Sequence, residues 1–130
     1  MRLFERSIVA ELAQHLRAGR RFIHVVVGPR QVGKSTAAGQ LIDRLGWPAH
    51  YASADAPLPP GPEWIETHWQ AALAKAAAAG RPALLVLDEV QKVRGWSEVV
   101  KRLWDAGTRQ DLRLHVLLLG SSALLLQHGL

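Results

Sequence analysis

The feature that most constrains this chain is a glycine-rich turn between an apolar run and a helical pattern. Residues 28–36 read GPRQVGKST and directly follow the run FIHVVV at 22–27. That run has no polar alternation apart from His24, which is typical of a strand buried on both faces of a parallel sheet. The spacing after the turn predicts a helix over 33–45, with one apolar face formed by Ala37, Leu41, Ile42 and Leu45. A strand, a tight turn and a helix in this order favour an α/β fold.

The rest of the chain repeats this alternation of strands and helices. Apolar runs predict further strands at 83–89 and 112–120, with a weaker candidate at 48–53. Helical periodicity predicts helices at 3–18, 62–79 and 97–106, the last ending at Gly107. Alternation of this kind indicates parallel βαβ units with right-handed crossovers. We expect one domain over 1–130, with an N-terminal helix at 3–18 and a βαβ core at 22–130.

Composition excludes several classes of protein. The chain has no cysteine, so it has neither a disulfide scaffold nor a thiolate metal site. Its apolar runs are strand-sized, well short of the roughly 18 residues that cross a bilayer, so no membrane association is expected. A cytoplasmic location is the expectation. The net charge of +5 allows nucleic acid or an anionic small ligand as a partner, and a solvated arginine-rich surface is the alternative.

The turn at 28–36 has the residues that a polyphosphate requires. Gly28 and Gly33 lack a Cβ, so the backbone can curl and direct its N–H groups at an anion. The following helix N-terminus favours negative charge. Lys34 would reach the β- and γ-phosphates of a nucleotide, and the Ser35 hydroxyl would bind Mg²⁺. The predicted nucleotide-binding residues are Gly28, Pro29, Arg30, Gln31, Val32, Gly33, Lys34, Ser35 and Thr36.

Two carboxylates end the strand predicted at 83–89. Asp88 is suited to hold Mg²⁺ together with Ser35, and Glu89 could activate the water that attacks the γ-phosphate. Ligands in open α/β sheets gather at the carboxyl ends of the strands, which is where both acids lie in sequence. The alternative is that the two acids only cap a strand.

Small polar residues follow the strand predicted at 112–120. Ser121, with Ser122 beside it, could hydrogen-bond the γ-phosphate or the attacking water. A turn or a helix cap is the alternative for this pair. Gln91 and Arg94 could couple the nucleotide state to a partner, but a loop surface is the favoured interpretation for them.

Three segments together resemble a known family. GPRQVGKST, LDEVQKVRGWSEVVKRLWD and LLLGSSALLLQHGL are similar to the N-terminal core of the prokaryotic AAA-type ATPases that commonly carry a C-terminal domain of unknown function. The resemblance implies a three-layer P-loop fold of the additional-strand class, with the strand at 112–120 between the other two strong strands. It also implies Lys34 with Ser35 or Thr36 as Walker A residues, Asp88 and Glu89 as Walker B residues, and Ser121 as the sensor.

The resemblance also implies which parts of the family fold we expect to be missing from residues 1–130. The fifth strand, helical lid and downstream arginine region of the family do not follow Leu130, so we expect a fold that is incomplete at the C-terminus. Arg109 or Arg113 could act across a subunit boundary in a homo-oligomer. The leading function is Mg²⁺-dependent ATP hydrolysis at the β–γ bond. The alternative is an ATP-binding or inactive fragment that acts as an interaction module. A small-molecule kinase is disfavoured because the acidic pair suits water activation.

Overall fold

The computed structural model describes residues 2–18, 23–27, 34–109 and 113–120, in which helices and strands alternate. The helices are α1 (Arg2–Arg17), α2 (Lys34–Leu45), α3 (Glu63–Ala79) and α4 (Trp96–Arg109). The strands are β1 (His24–Val27), β2 (Ala49–Ser53), β3 (Ala83–Asp88) and β4 (Leu114–Gly120). The α/β fold class is therefore confirmed.

The strands form one parallel sheet in the order β1-β4-β3-β2. β4 lies between β1 and β3, as the family resemblance implies. Every residue of β3 and β4 is buried, in agreement with their continuous apolar runs. The expectation that β1 is buried on both faces is wrong, because His24, Val25 and Val26 are only half-buried in a strand that stands first in this order. β2 lies beside β3 as the last strand in this order and has a mixed pattern of exposure, which explains its weak signal in the sequence.

The sheet is covered by helices on both faces, and alternate residues of its strands pack against each layer. Leu84 and Val86 of β3 pack with residues of α1 and α2, including Leu16 and Leu41. On the opposite face Leu85 and Leu87 pack with residues of α3 and α4. On this face α3 and α4 contribute six buried residues to the hydrophobic core, namely Ile65, Trp69, Ala72, Ala76, Trp96 and Val100. The three-layer arrangement is therefore the one expected, and the sheet lies between two hydrophobic cores.

Helix ends follow the sequence signals except in α4. Pro62 precedes α3, and Gly80 ends that helix in the left-handed conformation with φ 62°. Gly107 was predicted to end α4, and this is wrong, because the helix continues to Arg109. A glycine inside a helix costs only about 1 kcal/mol relative to alanine. Packing of Val100 and its neighbours on α4 against the core outweighs that cost.

A helix that crosses a bilayer must be both long and apolar. Within the residues that the structure describes, no helix is both long and apolar enough to span a bilayer.

Candidate functional site

Three strands end at the same level of the sheet. Val27 of β1 is paired with Gly120 of β4, and Leu119 of β4 is paired with Asp88 of β3. Because neighbouring strands lie about 4.8 Å apart, the ends of β1 and β3 are separated by about 10 Å. The glycine-rich sequence at 28–36 begins directly after β1, and α2 begins at Lys34 within it. The topology therefore brings the acidic pair and the two ends of this turn to one edge of the sheet.

Asp88 is the last residue of β3 and is only 6% exposed. Strand alternation places it on the same face as Leu84 and Val86, which is the face covered by α1 and α2. The Tyr51 hydroxyl donates a hydrogen bond to Oδ2 of Asp88. Tyr51 lies on β2 and is paired with Val86, so it shares that face. A buried carboxylate at this edge is thus held by a donor from the neighbouring strand.

Glu89 leaves the strand with an unusual backbone. Its φ is 55° and its ψ is 37°, and it is the one residue other than glycine with positive φ in the described part of the chain. Such a conformation costs of order 1–3 kcal/mol and is often found at functional sites. Strand β3 therefore ends one residue earlier than predicted, and a 3₁₀ turn follows at Val90–Lys92. The Glu89 side chain is 4% exposed, and Gln91 Nε2 donates to its Oε2 at 3.0 Å.

Several predicted site residues lie outside the described part of the chain. These are the loop residues Gly28, Pro29, Arg30, Gln31, Val32 and Gly33, together with Ser121 and Ser122. Lys34 begins α2 and Ser35 follows it in the helix, and Thr36 is exposed. Their assignment to phosphate and metal binding therefore stays a prediction.

Metal binding is constrained by the donors that the fold brings together. Over residues 2–18, 23–27, 34–109 and 113–120, no three or more His, Cys, Asp or Glu side chains form a group that could hold a metal ion. Mg²⁺ is commonly bound through one or two carboxylates, water and substrate phosphates, and it does not need such a cage. The buried carboxylate of Asp88 is a hard oxygen donor, level with the end of β1 where the glycine-rich sequence begins. The residues present therefore fit Mg²⁺ bound together with a nucleotide.

A pair of histidines lies away from this edge. His50 Nε2 and His68 Nδ1 are 2.8 Å apart, which joins β2 to α3. Burial lowers the pKa of both rings, and nearby Lys75 lowers the pKa of His50 further. A hydrogen bond between two ring nitrogens needs one donor and one lone pair, so it requires at least one neutral ring. The pair is therefore a structural link between β2 and α3.

Sequence reasoning missed Tyr51 and undervalued Gln91. Tyr51 contacts Asp88 from a strand whose signal was weak, and the two residues are 37 positions apart. Gln91 was interpreted as a loop surface, yet it is partly buried and bonded to Glu89. The DEVQ sequence contained a signal for Gln91, since a glutamine two residues after a carboxylate can donate to it within one turn.

A family model described as an AAA domain matches residues 20–130, which is most of the chain. No curated protein matches it by sequence.

Solved structures with a similar fold include Cdc6p from Pyrobaculum aerophilum, at TM-score 0.66 and 12% identity over 91% of this chain and 40% of that one. The Aeropyrum pernix ORC1 protein in complex with DNA is similar at TM-score 0.62 and 16% identity, over 95% and 39% of the two chains. The Thermotoga maritima RuvB Holliday junction branch migration motor is similar at TM-score 0.57 and 14% identity, over 93% and 38%. At these identities the similarity shows the fold, and the chain spans 38–40% of the length of each of these proteins.

Proposed function

The chain belongs to the AAA domain family, and on that premise we propose that it binds ATP with Mg²⁺ and hydrolyses the β–γ bond. The observation that carries the proposal is the buried pair Asp88 and Glu89 at the end of β3, level with the ends of β1 and β4. Ligands in open α/β sheets gather at the carboxyl ends of the strands, so two adjacent buried carboxylates at this position favour a functional role over simple capping.

Phosphate binding is assigned to the segment between β1 and α2. The backbone N–H groups of residues 28 and 30–33 and of the first turn of α2 would surround the β- and γ-phosphates. Lys34 would add a positive charge at the γ-phosphate, and Thr36 would contact the loop or the α-phosphate. Support comes from the position of the motif, because it joins a strand end to a helix start on the edge that carries the acidic pair.

Asp88 and Ser35 are the residues proposed to hold Mg²⁺. The ion, when bound, supplies positive charge against the β- and γ-phosphate oxygens. Asp88 would bind through its carboxylate, and Tyr51 would keep that carboxylate in place through the hydrogen bond that it donates.

Glu89 is proposed as the group that activates water. Its carboxylate would accept a proton while the water oxygen forms a bond to the γ-phosphorus. The bond from that phosphorus to the bridging oxygen breaks, and the oxygen keeps the electron pair as part of ADP. Ser121 is proposed to hydrogen-bond the γ-phosphate from the end of β4. An arginine from a second copy, Arg109 or Arg113, would add charge stabilisation in a homo-oligomer.

A binding-only module is the alternative function, and three variants separate it from the ATPase. γ-Labelled ATP is added with Mg²⁺ to the wild type and to Lys34→Ala, Glu89→Gln and the control Glu98→Gln. Glu98 is an exposed acid in the first turn of α4, so its variant matches the chemistry of Glu89→Gln away from the site. We expect Lys34→Ala to lose ATP binding. Glu89→Gln should bind ATP but release phosphate at a rate at least about 10²-fold below that of the wild type, because general-base catalysis typically contributes that much.

Each result of this experiment supports one of the candidate functions. Release by Glu98→Gln should equal that of the wild type. ATP binding without release by the wild type would support the binding-only module. Equal release by the wild type and Glu89→Gln would show that Glu89 is not the activating group. Phosphate transfer to an added sugar or nucleoside would support a kinase instead.

Duplex DNA is a second candidate ligand. The ORC1 structure similar to this chain is described as a complex with DNA, and the chain carries a net charge of +5. Binding through phosphate contacts should weaken steeply as salt increases. Binding that is absent, or that does not change with salt, would argue against this role.

A further inference from the structure

Gln91 makes its observed hydrogen bond to the side chain of Glu89. The amide nitrogen Nε2 donates to Oε2 of Glu89 at 3.0 Å, in a partly buried position. The amide oxygen Oε1 is buried and has no hydrogen-bond partner among the residues that the structure describes. An unpaired buried carbonyl is costly and rare in native proteins, so its presence needs an explanation.

The orientation of the amide is set by Glu89. Turning the amide over would place its oxygen against the carboxylate, where two acceptors repel each other. The observed orientation keeps the donor on Glu89 and leaves the oxygen unpaired. The bond to Glu89 therefore outweighs the cost of the unpaired oxygen.

The fold of the turn does not need this side chain. Backbone hydrogen bonds close the turn, from Lys92 N to Glu89 O at 3.1 Å and from Val93 N to Val90 O at 3.0 Å. Val90 and Val93 are 0% and 1% exposed and anchor the turn in the core. The contact of Gln91 with Glu89 is therefore separable from the folding of the segment.

We propose that Gln91 is a positioning residue that holds the Glu89 carboxylate in the orientation needed to activate water. This inference rests on the proposed ATPase function. A glutamate side chain turns about three torsions, and a short donor from the same turn restricts them. The left-handed backbone of Glu89 sets the direction in which its side chain leaves the main chain. The hydrogen bond from Gln91 sets the position of the Glu89 carboxylate. The proposed role of Gln91 is exerted through Glu89, by the hydrogen bond that joins their side chains.

The first test compares Gln91→Met and Gln91→Glu with the wild type in Mg²⁺-dependent phosphate release. Both variants keep the length of the side chain and remove the donor, and the glutamate adds repulsion. We expect kcat to fall about ten-fold in Gln91→Met, the rate equivalent of one lost hydrogen bond to a charged group, with KM unchanged. Gln91→Glu should fall at least as far. The control Gln70→Met, at an exposed position of α3, should match the wild type.

The second test repeats Gln91→Met in a Glu89→Gln background, using single-turnover release of labelled phosphate. If Gln91 acts through Glu89, its removal should change the residual rate less than about two-fold, because mutations that act through one group are not additive. The same ten-fold loss in both backgrounds would overturn the proposal. So would wild-type kcat in both Gln91 variants, or a raised KM with kcat unchanged. If the wild type itself releases no phosphate, the ATPase proposal fails, and this inference fails with it.

Discussion

The hydrogen bond from Tyr51 to Asp88 should be measurable in the stability of the chain. Tyr51→Phe removes only the hydroxyl that donates to Oδ2 of Asp88. The Asp88 side chain is 6% exposed, so water has little access to replace the lost donor at the carboxylate. Tyr51 itself is 42% exposed, so some water can enter beside it.

The expected magnitude follows from these exposures. A hydrogen bond to a charged group contributes about 1.5–3 kcal/mol, and the partial access of water places this one at the low end, near 1.5 kcal/mol. In an Asp88→Asn background the acceptor is neutral, so the same change should cost only about 0.5–1 kcal/mol. The difference between the two backgrounds, about 1 kcal/mol, is the coupling due to the charge of Asp88.

Urea unfolding of the four proteins, followed by circular dichroism at pH 7, measures these free energies. The m-values should be equal, because the exposed area on unfolding does not change. A cost for Tyr51→Phe below about 0.5 kcal/mol, or an equal cost in both backgrounds, would refute the reasoning. In either case the hydroxyl would not be stabilising the charged form of Asp88.

Two further predictions concern stability. The pKa values of His50 and His68 are lowered by burial, so the unfolded chain binds protons first as the pH falls below 6.5. The free energy of unfolding should therefore decrease below that pH. Urea unfolding at several pH values measures the slope of this free energy against pH, and the double variant His50→Gln/His68→Gln should have a smaller slope than the wild type. An unchanged slope would contradict this prediction. Gly80→Ala should destabilise by about 1 kcal/mol because its φ is 62°. Gly39→Ala, inside α2, should stabilise by a similar amount, because the added Cβ would meet no atom of the described residues within 4 Å apart from its chain neighbours and its own helix backbone. Equal effects in thermal unfolding of these two variants would show that the left-handed backbone is not the cause.

The sequence predicts most of the architecture because β3 and β4 are buried on both faces. Their continuous apolar runs are typical of strands buried on both faces, and α4 between them repeats apolar residues at helical spacing. The order of β1, β4 and β3 follows from the family resemblance. β2 was harder to predict because an edge strand with an exposed Tyr51 lacks that signal.

The candidate site is less predictable than the fold. The position of Asp88 at a strand end follows from the sequence, since an apolar run stops there. Its contact with Tyr51 depends on the register between β2 and β3, which the sequence does not specify. The environment of Glu89 depends on a left-handed backbone that few residues other than glycine adopt, so the end of the strand and the contact with Gln91 could not be predicted from periodicity.

The left-handed backbone at Glu89 has a consequence for how this position tolerates change. Glycine and asparagine adopt such a backbone with less strain than glutamate, so a library of variants at position 89 selected only for abundance in cells should enrich these two residues. The same library selected for nucleotide turnover should retain glutamate. Selection for abundance and selection for catalysis would thus act in opposite directions on a single codon.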